Sequence, residues 1–135
     1  MGSTPRAHLA YGYDLGYIED FRASERDEYG GPKLPWFEGD SGSWDFGAQV
    51  EAELQNAGIL GVELEFSGGD ELPGWVLVAD DSKRSVAWSE AMVLNLTQME
   101  HPPGEWFDRL TAAVDALGIT PTQDWPRWLV FPSYG

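Results

Sequence analysis

Two segments of this chain carry the same helical signature, and together they restrict its fold more than any other feature. In SWDFGAQVEAELQNAGI (43–59), Phe46, Val50, Leu54 and Ala57 fall at i, i+4, i+8 and i+11. In HPPGEWFDRLTAAVDALGI (101–119), Trp106, Leu110, Val114 and Leu117 repeat that spacing. At 3.6 residues per turn each set forms one apolar stripe. Both stripes run into a glycine followed by isoleucine, Gly58–Ile59 and Gly118–Ile119. A glycine can take the left-handed cap conformation, and an apolar residue just beyond it packs back on the last turn. Ser43 is a suitable N-cap with Asp45 in the first turn, and Pro102 and Pro103 suit the start of the second helix. A helix with a single stripe must bury it against another layer.

The rest of the chain supplies that layer. GVELEFSGG (61–69) alternates, with Val62, Leu64 and Phe66 facing one way and Glu63 and Glu65 facing water. WVLVA (75–79) is a continuous apolar strand, followed by a turn at DDSKR (80–84). SVAWSEAMVLNL (85–96) has Val86, Trp88, Met92 and Leu94 at even spacing, with Glu90 interrupting them at a bulge or strand edge. AHLAYGYDL (7–15) reads as a strand by period two. In WPRWLVFPSYG (125–135), Pro126 and Pro132 make the last strand short or place it at an edge. The order strand, long loop, helix, three strands, helix, strand predicts an α+β two-layer sandwich. Its sheet is mainly antiparallel, of about five strands, with both helices on one face. The likeness of AELQNAGIL to AAVDALGIT suggests a ferredoxin-like duplication with an extra strand. At 135 residues the chain is expected to be a single domain, 1–135. Residues 17–43 are acidic, rich in glycine and proline and without a sustained period. They are read as one long loop with at most a turn of helix, anchored where Trp36 and Phe37 tuck onto the core.

Charge narrows the function. The chain carries 23 acidic and 8 basic residues, a net −15 at neutral pH. A nucleic-acid binder needs a basic footprint, so no nucleic-acid partner is expected. Anionic membranes would repel such a surface, and no apolar run approaches the ~18–20 residues that span a bilayer. With no apolar leader at the N-terminus, a cytoplasmic location is expected. The acidity either keeps the protein soluble or attracts a partner with a basic surface, as a DNA mimic would. Seven Trp, six Phe and five Tyr argue for a packed core rather than disorder.

Catalytic signals are sparse. Cysteine is absent, which removes thiol nucleophiles, disulfides and thiolate metal sites. His8 and His101 are the only histidines, and they read as structural or surface residues unless the fold brings them together. GxSxG, P-loop and GxGxxG patterns are absent. Glu38, Asp40 and Asp45 share a Gly-rich stretch, but their spacing does not match a calcium loop. Abundant carboxylates alone do not define a glycosidase pair, which needs one separation and one raised pKa. No catalytic residue, metal or cofactor is therefore expected. The NLT triplet at Asn95 matches a glycosylation acceptor and is read as chance. The candidate binding surface is AYGYDLG. Alternation puts Tyr11 and Tyr13 on one face, with Gly12 and Asp14 on the other. Either Asp14 simply starts a turn closed at Gly16, or Tyr11, Tyr13 and Asp14 rim a groove. If the last strand lies beside the first, Ser133 and Tyr134 would join that rim, and Trp36 and Phe37 could add anchors from the loop.

The two ends of the chain carry a resemblance. YGYDLG (11–16), YGG (29–31) and the closing LGITPTQDWPRWLVFPSYG (117–135) are similar to small acidic proteins of actinobacteria and their phages. The resemblance covers about a third of the chain and brings no activity, cofactor or catalytic residue with it. It implies a bacterial or phage cytoplasm and an accessory role, which in phages often means binding a host protein. The expectation is an acidic protein-interaction module that binds or inhibits a host or phage protein. The alternatives are a small ligand-binding protein or enzyme with its site at the Tyr11–Asp14/Tyr134 rim, and a structural protein whose acidity serves only solubility.

Overall fold

The computed structural model describes residues 5–16, 22–23, 25–26, 32–33, 43–67, 74–87 and 89–134. Trp36, Phe37, Glu38, Asp40 and Trp88 lie outside the described residues. In chain order the elements are β1 (Pro5–Gly16), β2 (Arg22–Ala23), β3 (Glu25–Arg26), β4 (Pro32–Lys33), α1 (Ser43–Asn56), β5 (Val62–Ser67), β6 (Gly74–Ala79), a 3-10 turn (Asp80–Ser82), β7 (Arg84–Ala87), α2 (Leu96–Met99), α3 (Gly104–Leu117), β8 (Ile119–Thr120) and β9 (Arg127–Tyr134).

The main sheet has five strands, all antiparallel: β5–β6–β1–β7, with β9 on the other edge of β1. The four longer strands run across the sheet as β9–β1–β6–β5, with a helix after the first and another before the last. That is the 4-1-3-2 order of a ferredoxin-like fold, and β7 is its extra strand. β6 pairs with residues 12–16 of β1 and β7 with residues 6–9. β9 pairs with β1 from Pro5↔Tyr134 to Gly12↔Arg127. β6 and β7 therefore lie end to end along one edge of β1, with the 3-10 turn between them. β9 is an edge strand among the described residues, which is why Pro132 is tolerated within it.

Ser82 holds that interrupted edge together. Its hydroxyl donates to the Ala79 carbonyl at 2.6 Å and accepts from the Tyr11 N–H at 2.8 Å. The side chain thus replaces the ladder bond that the 3-10 turn removes, and it is 2% exposed. Gly12 sits beside this break. A Cβ there would meet the Leu77 carbonyl oxygen at 2.0 Å, so the backbones approach more closely than any side chain permits.

Both helices cover one face of the sheet. Phe46, Val50 and Leu54 of α1 and Leu110, Val114 and Leu117 of α3 share a core with Tyr13, Leu15, Trp75 and Leu77. Ala57, assigned to the first stripe by its spacing, is instead exposed in the cap. Gly58 takes φ +74°, its N–H bonds the Gln55 carbonyl, and the Ile59 N–H bonds the Leu54 carbonyl. That pair of bonds satisfies the last carbonyls of α1, and Ile59 packs on the core as its position requires. Gly118 ends α3 with φ +70°. The other face buries Ala10, Val76, Val78 and Phe131 without a helix. The sheet curls enough to bring Cα atoms of β5 and β9 within 8 Å of each other, and Lys83 bridges Glu63 and Glu65.

Two expectations change. Residues 85–96 do not form one strand. β7 stops at Ala87, where Glu90 returns its N–H to the Ala87 carbonyl at 3.1 Å and its carboxylate accepts the Ala87 N–H at 2.7 Å. Ser89 carries the positive φ of 69° that this turn needs. Glu90 breaks the alternation because it closes a turn. The segment 17–43 is not wholly irregular either. β2 pairs with β8, and β3 pairs with β4. No helix among the described residues is long and apolar enough to cross a membrane.

Candidate functional site

The turn at Glu90 leads into a cleft on the helix side of the sheet. Beyond it the chain runs irregularly to Asn95, whose side chain accepts from the Gln98 N–H at 3.1 Å and caps α2. Pro102 and Pro103 then lead into α3. This excursion forms a wall over the helix-side surface of β1, β7 and β9. The floor is aromatic and aliphatic: Leu9 from β1, Trp128 from β9 and Trp106 from α3. Tyr11 packs behind the two indoles, with ring centroids 6.1 Å from Trp106 and 5.5 Å from Trp128, and the indoles meet edge to face at 6.1 Å. Trp128 Nε1 donates to the Met99 carbonyl at 2.8 Å, tying floor to wall. The cleft is about 640 Å³, within the range of natural ligand sites.

Its lip is apolar and open. Val93 is 97% exposed and Leu94 43%. Isolated exposed apolar residues are ordinary, but a group beside a concave aromatic floor marks a binding surface. The polar lining comes from Arg84, Asn95, Thr97, Gln98 and His101, and no carboxylate among the described residues lines the cleft. Glu100 and Glu105 are exposed and adjoin the lining residues Met99, His101 and Trp106 in sequence, and Glu90 is exposed three residues before Val93.

The rim expected from the sequence is not assembled. Tyr13 is 5% exposed and belongs to the core. Burial raises its phenol above the ordinary value, so it stays neutral. Tyr11 shares that face but supports the cleft from behind, and its phenol is likewise raised by burial. Asp14 is exposed and serves the turn. Its carboxylate accepts the Gly16 N–H at 3.0 Å, and its own N–H donates to Gln123 Oε1 at 2.6 Å. Gln123 returns a bond to the Gly12 carbonyl. The last strand does lie beside the first, yet the antiparallel register sets Tyr134 opposite Pro5. Asp14 lies nine positions along β1 from Pro5, about 30 Å along a strand, so the register sets Tyr134 and Asp14 at opposite ends of β1. The anchors Trp36 and Phe37 lie outside the described residues.

The sequence reading missed Arg84, the 93–103 wall and the second role of Trp106, which it assigned to the core stripe alone. One signal was available. Val93 breaks the even spacing of Met92, Leu94 and Leu96, and the segment then runs into two prolines.

The two histidines do not meet. His101 lines the cleft, while His8 lies on the opposite face of the sheet, stacked on Phe131 at 5.1 Å. His8 Nε2 is 2.6 Å from Ser133 Oγ. Burial lowers the His8 pKa. Glu65 opposes that shift, and Lys83 and Arg6 add to it. Ser133 lies inside a paired strand, not at the sharp turn that presents a hydrolase nucleophile. The pair therefore reads as a cross-strand hydrogen bond that orients the ring.

Compared with family models, curated proteins and solved structures, the chain finds no match.

Proposed function

We propose that this chain is an acidic protein-interaction module whose recognition element is the Trp106–Trp128 cleft. The observation that carries the reading is the exposed lip of Val93 and Leu94 over an aromatic floor, in a chain of net charge −15. The two features divide the work of binding. Charge at the periphery steers a partner with a basic surface and sets the association rate. Aromatic and aliphatic anchors in a desolvated pocket set the dissociation rate. The similarity of its ends to small acidic actinobacterial and phage proteins supports an accessory role, in which the module occupies or inhibits a host or phage protein. A small-ligand reading of the same cleft is favoured by its volume, but the open lip fits a protein partner better.

The test is capture from an actinobacterial lysate at low and moderate salt, followed by kinetics on the captured protein. Association should slow as salt rises, because screening cuts the reach of charge to about 8–10 Å. Leu94→Asp should speed dissociation without lowering thermal stability. Binding indifferent to both salt and Leu94→Asp would overturn the proposal, as would turnover of a small molecule by the purified chain.

A further inference from the structure

We propose that the cleft receives the C-terminal residue of its partner. A bulky apolar side chain lies on the Trp106–Trp128 floor, the terminal carboxylate pairs with Arg84, and basic residues upstream face the acidic surround. This rests on the interaction-module reading and adds the chemistry of the bound segment.

Arg84 is the starting point. Outside β2, β3 and β4 the chain has five arginine and lysine side chains, and four of them are engaged. Arg6 donates to Ser85, Lys83 bridges Glu63 and Glu65, Arg109 pairs with Glu105, and Arg127 lies over Trp125. The Arg84 side chain has no hydrogen bond or ion pair among the described residues, although the chain holds nearly three acids for every base. Its position is set by the β1–β7 register, which places it opposite Leu9 at the edge of the cleft floor. The guanidinium is a planar fork that matches a carboxylate through two parallel bonds. A cleft with this cation, an apolar floor and no carboxylate from the described residues in its lining fits an apolar group that carries one acid.

Such a group could be a free amphiphilic acid or the end of a polypeptide, and charge decides between them. A free acid is an anion and is repelled by a molecule of net charge −15. A basic segment ending in an apolar residue is a cation overall. It is attracted at long range, and it meets Glu90, Glu100 and Glu105 outside the cleft while its terminal carboxylate meets Arg84 within.

The experiment uses the full chain and a dye-labelled pentapeptide of three basic residues, glycine and a C-terminal leucine, as the free acid and as the amide. Fluorescence anisotropy at low salt measures binding to wild type, Arg84→Gln and Leu94→Asp, each first shown to melt like wild type. Amidation should weaken binding to wild type by about tenfold or more, since it removes a charge-assisted bidentate pair. The same change should make less than about a twofold difference in Arg84→Gln, because the pair is already lost there. Equal binding of acid and amide to wild type overturns the carboxylate assignment. If Leu94→Asp still weakens both, the module reading survives. Quenching of tryptophan fluorescence by decanoate, with neither peptide binding, overturns the peptide in favour of a small amphiphile. Lysate capture without peptide binding also overturns this inference alone, whereas failure of both removes the module reading with it.

Discussion

Replacing Ser82 with alanine should cost far more than the loss of one hydroxyl suggests. Its oxygen accepts the Tyr11 N–H at 2.8 Å and its proton goes to the Ala79 carbonyl at 2.6 Å. It sits at the break between β6 and β7 and is 2% exposed, so water does not readily take over either bond. Losing the hydroxyl–carbonyl bond costs about 1 kcal/mol, and an orphaned N–H adds about 1–3 kcal/mol, giving roughly 2–4 kcal/mol in all. An unfolding entropy of about 2.1 cal/mol/K per residue over 135 residues makes each kcal/mol worth about 3.5 °C, so Ser82→Ala should melt about 7–14 °C lower. Thermal and urea unfolding followed by circular dichroism would measure it, with an unchanged m-value indicating that the same surface is exposed. The Tyr11 amide should also lose hydrogen-exchange protection. Ser85→Ala, which removes only a 3.4 Å surface bond from Arg6, is the control and should stay within about 0.5 kcal/mol of wild type. If Ser82→Ala melts within about 2 °C of wild type with Tyr11 still protected, the hydroxyl does not replace a ladder bond and the argument is wrong.

Three further outcomes follow from the packing and the titrating groups. Gly12→Ala should destabilise by at least about 3 kcal/mol or leave the chain insoluble, because the added methyl meets backbone in the centre of the sheet; a soluble variant with wild-type unfolding would contradict the close approach. Leu110→Ala empties a fully buried position between α3 and the sheet and should cost about 2–5 kcal/mol in urea unfolding; an unmoved midpoint would contradict that packing. His8 has a lowered folded pKa, so below the ordinary value of about 6.5 the unfolded chain binds the extra proton and stability falls with falling pH. The melting temperature of wild type minus that of His8→Gln should fall as pH drops from 7.5 to 5, a comparison that isolates the loss from the many carboxylates; a constant difference would rule it out.

The helices were legible because everything that makes them is local. A stripe at 3.6 residues, a glycine at φ +74° or +70° and an isoleucine beyond it all lie within one short stretch, and the chain needs no distant partner to express them. The alternation of Val62, Leu64 and Phe66 was legible for the same reason, and with it the two-layer α+β arrangement. The segment 85–96 was misread because two local signals compete there. Its even spacing of apolar residues favours a strand, but the Glu90 carboxylate and the positive φ of Ser89 close a turn after four residues. The cleft belongs to a different level. Leu9, Arg84, Trp106 and Trp128 meet only because β1 pairs with β7 on one edge and β9 on the other, with α3 laid across them. The same register carried Tyr134 to the far end of β1 from Asp14 and undid the rim that adjacency alone suggested. Spacing along a chain is set by bond geometry and is visible in one dimension. Strand register is set by which apolar set is buried when distant segments pair, and that choice exists only in the folded molecule.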